Sequence, residues 1–122
     1  MILLDTNALI WLDQSDKRVR PLLKQRRGLY ISPASLLELQ FLSEAGRIRL
    51  SERDVNTLAD DDRWMLDDPP AAAWFATAAH LGWTRDPFDR LLAAHAQFRG
   101  WRLATGDRSL LEQLGPRHSI EL

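Results

Sequence analysis

Short unbroken apolar runs alternate with stretches of helical spacing along this chain. Residues 2–4 form the first run, which suits a strand buried on both faces of a parallel sheet. Thr6 and Asn7 are turn and cap formers, and 8–12 read as helix. Val19, Leu22 and Leu23 recur at i, i+3 and i+4, predicting a second short helix over 16–25, closed by Gly28. A strand follows at 29–31. Ser32 as N-cap and Pro33 at N1 then open a helix to residue 45. Polar and apolar residues alternate over 47–50, predicting a short extended piece. Ser51 to Asp54 has the form of a capping box opening a helix to about residue 59. Residues 64–66 predict a brief strand, and Asp68-Pro69-Pro70 starts an alanine-rich helix over 71–81. Asp86 as N-cap, Pro87 at N1 and Asp89 at N3 begin the next helix, which Gly100 stops. A third good strand is predicted at 101–104, a short helix at 109–114 and a last strand at 118–122. No repeat, linker or low-complexity segment interrupts the pattern, so 1–122 is expected to be a single α/β domain.

Composition changes this picture little, but it excludes several chemistries. Hydrophobic residues make up 45% and charged residues 27%, ordinary values for a soluble globular protein. With no cysteine there is no disulfide, thiolate zinc site or Cys nucleophile, which agrees with a cytoplasmic location. No signal peptide and no membrane span are expected. The net charge of −1 gives no overall support for nucleic-acid binding. Lys17, Arg18, Arg20, Lys24, Arg26 and Arg27 nevertheless form a basic segment. Such a run is most often a solvated helix face, and a phosphate-backbone patch is the other reading.

The acids carry the candidate chemistry. Asp5 follows the first strand, where it either caps the next helix or stands among the groups that gather beyond strand ends in open α/β sheets. Asp107 repeats the strand-then-acid pattern after residue 104. Glu38 borders the apolar stripe of Leu37, Phe41 and Leu42, and Asp89 lies in the first turn of its helix, where good capping alone would also explain an acid. Together the four describe a carboxylate cluster at one end of a parallel sheet. Bare carboxylates repel and raise one another's pKa, and a hard divalent cation resolves the conflict. That arrangement suits metal-assisted phosphodiester hydrolysis with an activated water. An aspartyl-phosphate phosphotransferase usually needs a second acid two residues after the nucleophile, where this chain has Asn7. His80, His95 and His118 accompany no nucleophile motif, and His95 is expected to be packed or solvated on its helix.

Leu4-Asp5-Thr6-Asn7, Ser35-Leu-Leu-Glu38-Leu, Asp86-Pro-Phe-Asp-Arg-Leu-Leu-Ala-Ala94 and Thr105-Gly-Asp107 resemble, in order and spacing, the motifs of PIN-domain proteins, above all the VapC-type ribonuclease toxins. No single motif is specific; the ordered set is. The resemblance implies a three-layer α/β/α sandwich with a mainly parallel central sheet. It implies a Mg²⁺- or Mn²⁺-dependent endoribonuclease, a homodimer and a small cognate antitoxin. Asp5, Glu38 and Asp89 would form the acidic triad, and Asp107 the fourth acid. Asn7 and Thr105 match polar positions that orient the acids, and Asp86 an acid of the Asp-Pro-Phe-Asp subgroup, expected to be chiefly a helix cap. The alternative is a PIN-fold module that binds RNA or protein without cleaving. Of the five tryptophans, most are expected in the core and one or two in an interface.

Overall fold

The structure is a computed structural model that describes residues 1–25, 28–51 and 54–122. Five parallel strands, β1 (Ile2–Leu4), β2 (Leu29–Ile31), β3 (Met65–Leu66), β4 (Arg102–Thr105) and β5 (Ser119–Glu121), form one sheet in the order β3-β2-β1-β4-β5. Around it lie α1 (Thr6–Asp13), a 3-10 helix (Lys17–Leu22), α2 (Pro33–Glu44), α3 (Val55–Ala59), α4 (Ala71–Ala79), α5 (Pro87–Arg99) and α6 (Arg108–Leu114). The chain steps outward from β1 to β3, returns through α4 and α5 to β4 on the other side of β1, and ends at β5. The strand order therefore reverses between β1 and β4. In open α/β sheets the crevice beyond the carboxyl ends of such strands is where ligands collect.

The period-two geometry of a strand divides the core into two clusters. Ile2 and Leu4 point to one face, against α1, the 3-10 helix, α3 and Leu39 of α2. Leu3 and Leu103 point to the other, against Trp74 and Ala78 of α4, the Leu92–Ala96 stretch of α5 and Leu110 and Leu114 of α6. Helices on both faces of a parallel sheet make the expected three-layer sandwich. Trp64 and Trp74 are buried, while Trp11, Trp83 and Trp101 pack half-buried against the two clusters. Among the described residues no helix is long and apolar enough to cross a membrane.

Several expected elements differ in detail. The helix expected over 16–25 is a six-residue 3-10 helix, because Pro21 has no amide proton to continue an α-helical ladder. Residues 47–50 join no strand: Ile48 and Leu50 owe their alternation to packing on the first cluster. Ser51 caps no helix. Its N–H donates to Asp13 Oδ2 at 3.1 Å and its hydroxyl hydrogen-bonds to Asp13 Oδ1, while Asp54 is the N-cap of α3. The middle of that supposed capping box and the Arg26-Arg27 part of the basic segment lie outside the described residues. Gly100, at φ 70°, closes α5 in the left-handed conformation, as expected.

His95 is fully buried on α5, as the packed reading expected. Its Nε2 lies 2.6 Å from Asp67 Oδ2, and Arg99 donates to both oxygens of the same carboxylate at 2.8 and 3.1 Å. Burial alone would raise the Asp67 pKa, but the bonds from Arg99 and His95 outweigh it and hold the carboxyl below its usual range. Asp67 directly follows β3, so this carboxylate ties the sheet edge to α5. Asp67→Ala would strand a buried imidazole and a half-buried guanidinium. It is expected to cost about 1–3 kcal/mol in urea unfolding, with Asp67→Asn losing less; an Ala variant of unchanged stability would show that the tie contributes nothing.

Candidate active site

The carboxyl end of β1 delivers Asp5 into the crevice at the switch point. Its backbone N–H donates to Ala104 O at 3.1 Å, fixing it to the end of β4. Its side chain is the N-cap of α1, Oδ1 accepting from Ala8 N at 2.7 Å, and it is only 4% exposed. The two sequence readings of Asp5 are thus both met in one side chain. The hydroxyl of the buried Thr105, last residue of β4, lies beside Asp5 and favours its ionised form, and the same oxygen accepts from Asp107 N at 3.0 Å. Thr105 therefore orients two acids at once. Asp107 caps α6 by accepting from Leu110 N at 3.0 Å and is otherwise exposed.

Two helices bring the remaining acids. Ser32 and Pro33 start α2 as the sequence predicts, which leaves Glu38 half-buried a turn and a half along it. The Thr6 hydroxyl donates to Ser35 Oγ at 3.1 Å and lies close enough to Glu38 to oppose the rise of its pKa. Thr6 and Ser35, both buried, are contacts that sequence reasoning missed. The available sign was Ser35 standing three residues before Glu38, one helical turn along the same face. Asn7, expected to orient an acid, is exposed in the first turn of α1. Asp86 accepts from Phe88 N at 2.8 Å and Asp89 N at 3.1 Å as N-cap of α5, leaving Asp89 half-buried one turn on.

The acids perturb one another. Burial, then Glu38 and Asp107, push Asp5 up to about 6 against the opposing bonds from Thr105 and Ala8. Asp89 is pushed to about 7, first by burial and then by Asp86, Asp107, Glu38 and Asp5. Glu38 is also raised, by burial and by Asp86, with the Thr6 bond opposing. Asp89 thus feels every other sequence-predicted acid, and Asp5 feels Glu38 and Asp107 as well. Among the described residues, however, no three Asp, Glu or His side chains close into a cage for a metal ion. Mg²⁺ does not require one: it is typically held by one or two carboxylates, waters and substrate phosphate oxygens. A hard cation is the natural partner of such a donor set.

The chain belongs to the PIN domain family, whose model matches residues 2–114. It is 32% identical to Ribonuclease VapC22 of Mycobacterium tuberculosis (strain ATCC 25618 / H37Rv) over 123 aligned positions, covering 95% of this chain and 94% of the relative. In fold it resembles a toxin–antitoxin complex chain from Klebsiella pneumoniae, at a TM-score of 0.70 and 16% identity over 100% of both chains. It also resembles PAE2754 from Pyrobaculum aerophilum, at a TM-score of 0.64 and 24% identity over 98% of this chain and 87% of that one.

Raising Asp5 from 3.8 to about 6 corresponds to roughly 3 kcal/mol of cost for its ionised form. The unfolded chain ionises these carboxyls near pH 4, the folded protein only as pH rises toward 6 or 7. Between those values the folded state binds more protons, so their contribution to stability falls as pH rises. In EDTA, Asp89→Asn is therefore expected to melt above wild type at pH 8, with an advantage that shrinks as pH is lowered toward 4. A melting difference independent of pH would show that the fold does not hold this acid's proton.

Proposed function

We propose that this protein is a divalent-metal-dependent ribonuclease acting in the cytoplasm as the toxin of a toxin–antitoxin pair. The observation that carries the reading is the coupling of buried Asp5 with Glu38, Asp89 and Asp107 at the β1/β4 switch point. Its support is the likeness to a VapC ribonuclease over nearly the whole chain. Asp5, Glu38, Asp89 and Asp107 are the residues that would hold Mg²⁺ or Mn²⁺. When bound, the ion supplies a Lewis acid at the phosphate and lowers the pKa of a water. Asp5 is the rigid member, gripped by Ala8 N–H and the Thr105 hydroxyl. Glu38 and Asp89, half-buried, face the side from which RNA and water enter. Thr6 and Thr105 keep the carboxylates oriented, as such supporting groups do in metal sites; Asn7 and Asp86 are assigned the same supporting role.

A small antitoxin is the natural regulator. Leu37 and Phe41 flank Glu38 on α2 at 52% and 51% exposure, and Phe88 packs edge-on against Phe41 with ring centroids 5.9 Å apart. An apolar flank beside a carboxylate cluster suits a protein segment that covers the site and offers it an Arg, since guanidinium and carboxylate pair well. The active chain is assigned as a homodimer.

The test is cleavage of a fluorescent RNA with Mn²⁺, paired with thermal melts. Mn²⁺ is expected to raise the melting temperature and EDTA to reverse it, as binding to the native state alone requires. Asp5→Asn and Asp89→Asn should abolish cleavage while remaining folded. Asp86→Asn should keep much of the activity, because Asn caps a helix as well as Asp does. RNA bound but never cleaved, with no metal-induced shift, would favour the non-cleaving PIN module. In a bacterial host, expression alone should arrest growth and coexpression of the neighbouring gene should relieve it; arrest that survives Asp5→Asn would put the toxicity elsewhere.

A further inference from the structure

Lys17, Arg18 and Arg20 of the basic segment are no part of the carboxylate site, yet the fold sets them alongside it. Val19 and Leu22 are buried, so the 3-10 helix turns Lys17, Arg18 and Arg20 outward. The Arg18 guanidinium lies 4.7 Å over the ring of Trp11, in the second turn of the helix that Asp5 caps. Asp16 forms a long, partly exposed ion pair with it: Oδ1 accepts the Arg18 backbone N–H at 2.9 Å and stands 3.8 Å from Nε. The edge of the Trp11 ring in turn lies against Gly106, where a Cβ would come within 2.7 Å of it. Gly106 precedes Asp107. A contiguous path thus runs from Asp107 across Gly106 and the indole to Arg18. Beyond it, Lys17 and Arg20 line an open concavity of about 450 Å³ shared with Leu12, Val19, Leu23 and Asp16, and with Arg63, which is paired with Asp61 and Asp13.

The charge of the site favours such a path. A cluster of bare carboxylates repels an RNA backbone, and a net charge of −1 offers no general attraction. Cations placed beside the site supply attraction for a polyanion that the acids themselves do not. An Arg guanidinium lying over an indole is oriented by it, and its terminal N–H groups can bind a phosphate. Its outer face can also receive an unstacked base.

We propose that Arg18, shelved on Trp11 and continued by Lys17 and Arg20, is the subsite for the single-stranded RNA backbone flanking the scissile phosphate. This rests on the ribonuclease reading above. An acidic protein segment would be the competing occupant of such a strip.

The experiment compares wild type, Arg18→Ala and a Lys17→Ala/Arg20→Ala double variant, with melts and Mn²⁺-induced shifts as controls of fold and metal site. Binding of a single-stranded RNA of about a dozen nucleotides is followed by anisotropy in EDTA, so that it does not depend on cleavage. Arg18→Ala is expected to weaken binding about tenfold and to lower the slope of log Kd against log salt by about one. With Mn²⁺ the loss should appear in KM, and it should shrink on a trinucleotide too short to reach the strip. Arg18→Lys, which keeps the charge, should recover part of the affinity. RNA affinity and salt slope unchanged in both Ala variants would overturn the subsite, even where wild type cleaves RNA. So would equal losses on long and minimal substrates, or loss of an acidic peptide ligand with RNA binding intact. RNA binding that depends on Arg18 in a wild-type protein unable to cleave would keep the subsite and sink the nuclease.

Discussion

A carboxylate held almost out of water is the constraint around which this fold is arranged. Asp5 must be buried to sit at the end of the central strand, and burial disfavours its ionised form. Three contacts make it tolerable: Ala8 N–H and the Thr105 hydroxyl on the side chain, and Ala104 O on the backbone amide. Each requires a different element to be in place, namely α1, β4 and the β1/β4 pairing. The acid is thus a junction between the sheet and the helix that follows it. Its cost is set by the same contacts that fix its position.

The neighbouring acids add strain of the same kind. Glu38 and Asp89 come from helices packed on each other through the α2 and α5 faces, and the cap residue Asp86 brings a further charge beside them. A fold selected for stability alone would not concentrate these groups. Natural proteins commonly give up stability at sites where function needs it. Here the compensation is visible elsewhere, in two apolar clusters on either face of β1 and in the Asp67, His95 and Arg99 tie at the sheet edge.

Helix capping and site chemistry are not separable in this molecule. Asp5, Asp86 and Asp107 each accept backbone N–H groups at the start of a helix. Helix N-termini stabilise anions, so the caps lower the electrostatic cost of gathering acids at one end of the sheet. Capping and a place in the acid cluster therefore do not exclude each other at Asp5. Asp86 is a cap by its contacts and also a charge that raises Asp89 and Glu38.

Much of this was legible in the chain. Runs such as Ile2 to Leu4 suit strands buried on both faces, and Ser32-Pro33 and Asp86-Pro87 mark helix starts through local chemistry that needs no tertiary context. Strand-then-acid spacing picked out Asp5 and Asp107 for the same reason: position relative to a strand end follows from residue order. What sequence could not decide was every matter of distance. Whether Thr6 or Asn7 would touch Glu38 depends on how α1 and α2 cross. Whether 47–50 would pair depends on which edge β3 takes, and whether Asp67 would meet His95 depends on a contact across 28 positions. The basic segment read either as a solvated face or as a phosphate patch, and residue order cannot show that Trp11 brings Arg18 toward Gly106. Local hydrogen bonding and periodicity act over a turn or two and are written in residue order. Burial, charge coupling and long-range contact exist only once the chain has closed on itself.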